Sequence, residues 1–146
     1  MSLRYSPVDF SAVERAVSAA ELTTSGEIRV VVYPGEVANP IETARFEFAR
    51  LGMHRTRHRN AVLLLVAPAS RAYAIFGDKA IHERCGEDFW SQTGDAMARY
   101  FRAGDFTEGL VHGIREAGRI LTRDFPVNPH ERHELPDTVV ERGIVI

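Results

Sequence analysis

The chain has 146 residues, of which 45% are hydrophobic, and its formal net charge at pH 7 is −2. This length suits a single domain with its own core, and the balanced charge excludes the general attraction of basic proteins for nucleic acid and acidic membranes. The N-terminus lacks a signal-peptide core, and no apolar run reaches the roughly 20 residues of a membrane helix. We therefore expect a cytoplasmic protein, with no nucleic-acid partner and no membrane segment in this chain.

The apolar pattern along the chain predicts alternating helices and strands. Helical segments repeat their apolar residues every three to four positions. The first strand is rich in β-branched residues, and the next two are short apolar runs. In chain order we predict a helix capped by Asp9 or Ser11, a strand at Glu27–Tyr33, a helix that begins at Asn39-Pro40 and stops at Gly52, strands at Ala61–Ala67 and Ala72–Phe76, a short helical piece at Lys79–Glu83, and helices at Asp88–Arg102 and Thr107–Leu121.

This order of elements predicts an α/β domain with a small mixed sheet and helices on both faces. A strand–helix–strand unit from Glu27 to Ala67 implies a right-handed parallel crossover, and the strand at Ala72–Phe76 then returns antiparallel beside its predecessor. Residues 1–126 form the predicted domain. Proline, charge and histidine increase beyond it, so we expect residues 127–146 to be an extended tail that packs on the domain or is partly disordered.

Polar residues flank the two strands of the predicted antiparallel pair. Arg59 and Asn60 precede the first strand, and Asp78 follows the second. Because the start of one antiparallel strand lies beside the end of its neighbour, these residues should meet at one edge of the sheet. Ligands of such sheets favour the rim beyond the strand ends, so this edge is the candidate site.

Two carboxylates belong to this edge. Glu27 follows Ser25-Gly26 at the start of the first strand, and together with Asp78 and backbone carbonyls it would suit a hard divalent cation, Ca²⁺ or Mg²⁺. The competing interpretation makes Asp78 an N-cap for the helix that begins at Lys79, with Glu27 as a charge at the strand edge. Arg59 adjoins a buried strand and needs a partner, for which Glu27 and Asp78 are the candidates, so a structural ion pair competes with ligand binding.

Several ordered motifs resemble the TPM domain family, the phosphatase-like domain of the thylakoid acid phosphatase type. The tail resembles that of the short, soluble bacterial branch of this family. The matching pieces are Thr24–Val30, Leu51–Met53 with Thr56, Arg59–Leu63, Ala74–Ile75 with Gly77–Ile81, Phe89–Trp90, Phe101–Phe106 with Gly109–Leu110, Phe125–Pro126 and Glu134–Asp137.

The resemblance implies a three-layer α/β/α sandwich with an acidic site at the rim that binds divalent cations, Ca²⁺ more than Mg²⁺. Carried over by position, the metal ligands would be Glu27, Asn60 and Asp78. Arg59 and Ser25 would lie close by and bind an anion or orient a ligand. The chain departs from the family pattern at two positions, with Ala61 in place of the usual Gly and His133 in place of the usual Asn.

Three functions follow from these observations. The first is a non-catalytic module that binds a divalent cation and docks a protein partner. The alternative is a weak metal-assisted acid phosphatase, in which the cation would polarise a phosphoryl group and Arg59 would hold a phosphate oxygen. The third is a structural pair of Arg59 and Asp78 without a ligand. No residue has the surroundings of an activated nucleophile, and Cys85 has the pattern of a half-buried hydrophobic residue, which favours the first function.

Overall fold

The computed structural model describes residues 8–127, 130, 139–141 and 144–145. Within those residues it contains four α-helices and five strands, joined in part by short 3₁₀ turns at Met53–Arg55 and Pro68–Ser70. The elements are α1 (Phe10–Glu21), β1 (Glu27–Val32), α2 (Pro40–Arg50), β2 (Ala61–Ala67), β3 (Ala72–Gly77), α3 (Lys79–Arg102), α4 (Phe106–Asp124), β4 (Val139–Glu141) and β5 (Ile144–Val145).

The helix ends follow from local side-chain chemistry. Asp9, and not Ser11, caps α1 by accepting a hydrogen bond from the Ala12 amide, and Asn39 caps α2, which has Pro40 at its first position. Gly52, just after α2, has a φ of 68°, a left-handed conformation that glycine adopts without strain. The predicted starts and stops of these two helices are therefore confirmed within one or two residues.

The strands form one mixed sheet in the order β3-β2-β1-β4-β5. β1 runs parallel to β2 and β4, whereas β3 is antiparallel to β2 and β5 is antiparallel to β4. Every residue of β1 and β2 is buried, because helices cover both faces of the sheet. The predicted parallel crossover and antiparallel return are both confirmed.

The two faces of the sheet pack against different helices and give the three-layer α/β/α sandwich. On one face, Ile28 and Val30 of β1 belong to a large cluster with α1, α3 and α4. On the other face, Val31 of β1 packs with Phe48 of α2 in a smaller cluster. Alternate residues of a strand point to opposite faces, so Glu27 shares the α2 face with Val31.

The predicted break between the helical pieces Lys79–Glu83 and Asp88–Arg102 is present inside the range assigned to α3. α3 is assigned from Lys79 to Arg102, but Gly86 has φ 66° and ψ −162°, outside the helical range, so two helical segments meet there. Glycine tolerates this conformation and produces a kink. The sequence therefore predicted the interruption correctly and placed it over a broader range.

The described parts of the tail extend the sheet. β4 pairs with β1 on the side away from β2, and β5 pairs with β4. The boundary at residue 126 stays a prediction, and His133 and Glu134–Asp137 lie outside the described residues. Within the part of the chain that the structure describes, no helix is both long enough and apolar enough to span a membrane.

Candidate functional site

The candidate site lies at the edge of the sheet where β2 begins and the antiparallel strand β3 ends. Gly77, the last residue of β3, lies opposite Val62, and the Asp78 amide donates to the Ala61 carbonyl at 2.9 Å. A Cβ atom on Gly77 would lie 2.6 Å from the Trp90 ring, so only glycine lets α3 pack this closely. Asp78 therefore leaves the sheet directly into the first turn of α3, at the edge where β2 begins.

Arg59 and Asp78 form a bidentate ion pair at this edge. The Arg59 Nε lies 2.6 Å from the Asp78 Oδ2, and its Nη2 lies 2.7 Å from the Oδ1. The Lys79 amide also donates to the Oδ1 at 2.8 Å, as expected of an N-cap. Asp78 is 6% exposed, whereas the Arg59 side chain is 47% exposed. The N-cap and the structural ion pair, both left open by the sequence, are present together, and the partner of Arg59 is Asp78.

The backbone holds Arg59 in place as well. Its φ of 52° is left-handed, its amide donates to the Thr56 carbonyl at 3.3 Å, and its carbonyl accepts from the Ala80 amide at 3.0 Å. The hydrogen bond to Asp78 raises the pKa of Arg59 above its ordinary value, so the guanidinium is charged. The loop before β2 is thereby tied to the first turn of α3.

A second group of predicted site residues surrounds the starts of β1 and β2. The Glu27 amide donates to the Asn60 carbonyl at 3.4 Å, and the Asn60 side-chain nitrogen lies 3.4 Å from the Ser25 Oγ. Glu27 and Asn60 are 2% and 1% exposed. The structure therefore joins Asn60 to Glu27 through the backbone and to Ser25 through its side chain, next to the residues that form the pair of Arg59 and Asp78.

Ala61 lies between the two predicted carboxylate ligands. It is opposite Glu27 on one side and hydrogen-bonded to Asp78 on the other. Two strand spacings separate the Cα atoms of Glu27 and Asp78 by about 10 Å. At this separation the two carboxylates need not contact each other. Both could reach one ion if their side chains lean toward each other over Ala61.

The Ser25 loop is anchored to the end of α4. The Ser25 amide donates to the Phe125 carbonyl at 3.0 Å, and the Thr24 hydroxyl donates to the Leu121 carbonyl at 3.1 Å and to that of Phe125. The Gly26 amide in turn donates to the Thr24 Oγ1 at 3.0 Å. These bonds hold Ser25 at a fixed distance from Asn60.

A cavity of about 360 Å³ opens beside Ser25, and the sequence did not predict it. Arg84 crosses it, with its Nη2 2.9 Å from the Asp124 carbonyl and its guanidinium carbon 4.9 Å from the Phe125 ring centroid. Residues 58, 83–84 and 124–126 are distant in sequence and follow no common pattern, so only the fold could reveal this set. The lining residues are Ser25, His58, Ala80, Glu83, Arg84, Asp124, Phe125 and Pro126.

Two further side chains bear on the chemistry of this edge. Thr56 is 5% exposed, and its hydroxyl makes no hydrogen bond to any residue that the structure describes. Burial, followed by a hydrogen bond to Asp124, raises the pKa of Cys85 to about 12, which makes this thiol a poor nucleophile at neutral pH. Within the described residues, no group of three or more His, Cys, Asp or Glu side chains is arranged to hold a metal ion.

Comparison with known proteins identifies the family of this fold. The NMR structure of the BA42 protein from the psychrophilic bacterium Bizionia argentinensis is 36% identical, with a TM-score of 0.84 over 90% of this chain and 91% of that one. The N-terminal domain of a P. gingivalis protein is 20% identical, with a TM-score of 0.63 over 82% of this chain and 76% of that one. The N-terminal domain of the Corynebacterium glutamicum cg2496 protein is 14% identical, with a TM-score of 0.62 over 85% and 80% of the two chains.

The P. gingivalis and C. glutamicum domains, at 20% and 14% identity, show that the fold is shared and nothing more. Among curated proteins, none matches this chain. The TPM domain model matches residues 6–120, which contain α1 to α3, most of α4, and all of the predicted site residues. The family predicted from the ordered motifs is thus confirmed, and the chain belongs to the TPM domain family.

Proposed function

We propose that this TPM domain is a non-catalytic module that binds a divalent cation at the edge formed by Glu27, Asn60 and Asp78. The observation that carries the proposal is the placement of two buried acidic residues on either side of Ala61, with a buried amide next to them. Carboxylate and amide oxygens are the ligands of hard cations. Ca²⁺ accepts about six to eight of them in flexible geometry and suits such a widely spaced set better than the strictly octahedral Mg²⁺.

The donor set fits a cation only if Arg59 moves. Both carboxylate oxygens of Asp78 accept hydrogen bonds from Arg59, and a guanidinium in that position repels a metal ion. The Arg59 side chain is about half exposed, so its charged group can return to solvent while the Lys79 amide still caps α3 through the same carboxylate. Arg59 therefore competes with the cation for Asp78.

The Thr56 hydroxyl, which has no hydrogen-bond partner among the described residues, is available to bind a water or another polar ligand. Thr56 is on the same loop as Arg59, whose amide donates to its carbonyl. A buried hydroxyl without a hydrogen bond costs about 1–3 kcal/mol, and hydration of a bound cation offers such a bond. Cation binding would release Arg59 from Asp78 and return its guanidinium to solvent, where it could contact a protein partner docked at this edge.

Binding is favoured over hydrolysis because the thiol of Cys85 is not activated as a nucleophile. Cys85 has a pKa raised to about 12, which leaves its thiol protonated at neutral pH. A phosphatase needs an activated nucleophile or a base that activates water. The weak acid phosphatase is therefore the second candidate.

Titration calorimetry with CaCl₂ and MgCl₂ tests the proposal. We expect Ca²⁺ to bind the wild type and to bind Arg59→Gln more tightly, because the competing charge is gone. Asp78→Asn should lose binding, and Asp124→Asn, an equally small change in another arginine pair, should retain it. Absence of heat in both the wild type and Arg59→Gln, with folding verified by circular dichroism, would rule out the cation site.

Aryl phosphate hydrolysis separates the two functions. The non-catalytic proposal expects no turnover above that of a mock preparation, with or without Ca²⁺. Metal-dependent turnover that Asp78→Asn abolishes would establish the hydrolase instead, whereas turnover that the same substitution leaves intact would come from a contaminant.

A further inference from the structure

β3 has an open edge whose hydrogen-bonding pattern can be derived. It is the last strand of the sheet and has β2 as its neighbour. The Asp78 amide donates to the Ala61 carbonyl, so positions 78 and 61 form a hydrogen-bonded pair. Because such pairs alternate along an antiparallel ladder, residues 72, 74 and 76 direct their backbone groups to β2. The residues that direct them outward are Tyr73, Ile75 and Gly77.

The outward groups of Tyr73 and Ile75 make no hydrogen bond to any other residue that the structure describes, and both residues are partly exposed, whereas Gly77 is buried. Both faces of β3 are nevertheless covered. The Phe76 ring packs on Phe48 of α2 with 4.9 Å between centroids, and the Tyr73 hydroxyl lies 3.5 Å from the Gly94 carbonyl of α3. The strand contains neither charge nor proline. What remains open is a row of backbone donors and acceptors, which only another extended strand can satisfy.

Positive charge next to β3 indicates the kind of strand. The Arg45 guanidinium carbon lies 5.5 Å from the Phe76 ring centroid, and its separation from Glu42 is 4.0 Å, with side chains 61% and 62% exposed. Arg71 immediately precedes the strand, where it donates to the Arg102 carbonyl at 2.9 Å. Arginines near both ends of β3 favour acidic residues in the incoming segment and disfavour a second copy of this edge, which would bring like charges together.

We propose that β3 docks an extended segment of a partner protein, with alternating apolar residues and an acidic residue toward each end, as a sixth strand of the five-stranded sheet. Main-chain bonds to Tyr73 and Ile75 hold the segment, and the charges of Arg45 and Arg71 favour acidic residues in it. This surface is separate from the cation site and does not depend on it, because it uses the outer side of β3 and not the residues around Ala61.

Amide hydrogen exchange followed by NMR tests this proposal with an internal control. The probe is a capped synthetic peptide, Glu-Val-Thr-Val-Thr-Val-Glu, at millimolar concentration. We expect exchange of the Tyr73 and Ile75 amides to slow about tenfold or more, because each gains a bond or is covered by the added strand. The amides of Ala74 and Phe76 already bond to β2 and should exchange at an unchanged rate.

Charge selection is tested by matched changes in peptide and protein. A peptide with Lys at both ends should bind less tightly than the acidic peptide. Arg45→Gln should weaken the acidic peptide about two- to fivefold, as expected for one exposed charge. Arg115→Gln, a change of an exposed arginine on α4, should leave its affinity unchanged.

Several results would overturn the proposal. The first is an unchanged exchange rate at both outward amides, and the second is slowed exchange confined to positions other than these. The third is equal binding by an acidic helical peptide of the same net charge. A fourth is sedimentation of the free protein as a dimer with these amides already protected, which would assign the edge to a second copy.

Discussion

Two arginine–aspartate pairs in this protein have the same chemistry and different structural roles. Arg59 and Asp78 are 19 positions apart, with contacts of 2.6 and 2.7 Å. Arg123 and Asp124 are adjacent, with contacts of 3.0 and 2.8 Å. The arginine side chains are similarly exposed, 47% and 50%, whereas the aspartates are 6% and 18% exposed.

The difference lies in what each pair connects. Asp78 joins the end of β3 to α3 as an N-cap and holds the loop before β2 through Arg59. Asp124 contacts its own neighbour in the chain and the thiol of Cys85. An ion pair stabilises a fold chiefly when it fixes segments that would otherwise move apart, since an exposed local pair gains little in water. The following predictions test that contrast, from the largest effect to the smallest.

Cys85, which lies next to the pair of Arg123 and Asp124, should be almost unreactive in the folded protein. Burial and the hydrogen bond to Asp124 raise its pKa from 9.0 to about 12, which lowers the thiolate fraction at pH 8 by about a thousandfold. The rate of reaction with a disulfide reagent should fall accordingly relative to the urea-unfolded chain. Equal rates in the two states would contradict the burial of this thiol.

The same shift has a consequence for stability against pH. Because the folded pKa of Cys85 is raised, its contribution is complete below pH 9 and is lost as the pH rises toward 12. Wild type should therefore lose more stability than Cys85→Ala over this window, as measured by urea unfolding at each pH. Parallel losses in the two proteins would show that other groups cause the alkaline effect.

Asp78→Ala should cost about 2 kcal/mol in the free energy of unfolding, because it removes a helix cap and leaves Arg59 without its partner. Asp124→Ala should cost less than about 1 kcal/mol, because its pair is local and more exposed. Urea unfolding of the two variants measures the difference. Similar losses would mean that the connection between distant segments contributes little.

Arg59 combines its ion pair with a left-handed backbone, and two substitutions separate the effects. Both Arg59→Ala and Arg59→Gly remove the side chain, but glycine adopts the φ of 52° without strain. The unfolding equilibrium constant of Arg59→Gly should be about three- to tenfold smaller than that of Arg59→Ala. Arg57→Gly and Arg57→Ala, in the same loop but at a residue without positive φ, should not show this preference for glycine.

The smallest effect should come from protonation of Asp124 in the adjacent pair of Arg123 and Asp124 at low pH. The hydrogen bond from Arg123 lowers the pKa of Asp124 below its usual 3.8. Because the pKa of Asp124 is lower in the folded than in the unfolded protein, the pair stabilises the fold at a pH above the unfolded pKa. This stabilisation is lost as the pH falls through the folded pKa. Arg123→Gln should therefore differ slightly from wild type at neutral pH, and this difference should vanish in strong acid. A difference that persists there would point to packing of the arginine stem.

Most of the fold could be predicted from sequence because its signals are local. Apolar runs flanked by turns predicted β1, β2 and β3, of which only β1 is rich in β-branched residues. Residues such as Asp9, Asn39 and Gly52 have side chains or conformations that mark helix ends. Periodicity could not specify how α3 bends, since the kink depends on the conformation of Gly86 within a packed helix. It also did not predict that β4 would pair with β1, because β4 has 3 residues and lies far along the chain.

The candidate site was predictable in its location and not in its bonding. Antiparallel pairing necessarily places Arg59 and Asp78 at one edge, whatever their side chains do. The choice of Asp78 over Glu27 as the partner of Arg59 depends on side-chain directions set by the left-handed backbone at Arg59 and the cap at Lys79. The cavity beside Ser25 brings together segments that share no local pattern.

By itself, the sequence determined the order of elements, the two buried central strands and the polar residues that end them. These properties follow from periodicity and from backbone preferences that act over a few residues. The tertiary structure alone decided which charges pair, including the choice of Asp78 by Arg59, and which backbone groups of β3 lack a hydrogen-bond partner in the described part of the chain. Such contacts depend on distances between segments far apart in the chain, and those distances exist only once the helices have packed against both faces of the sheet.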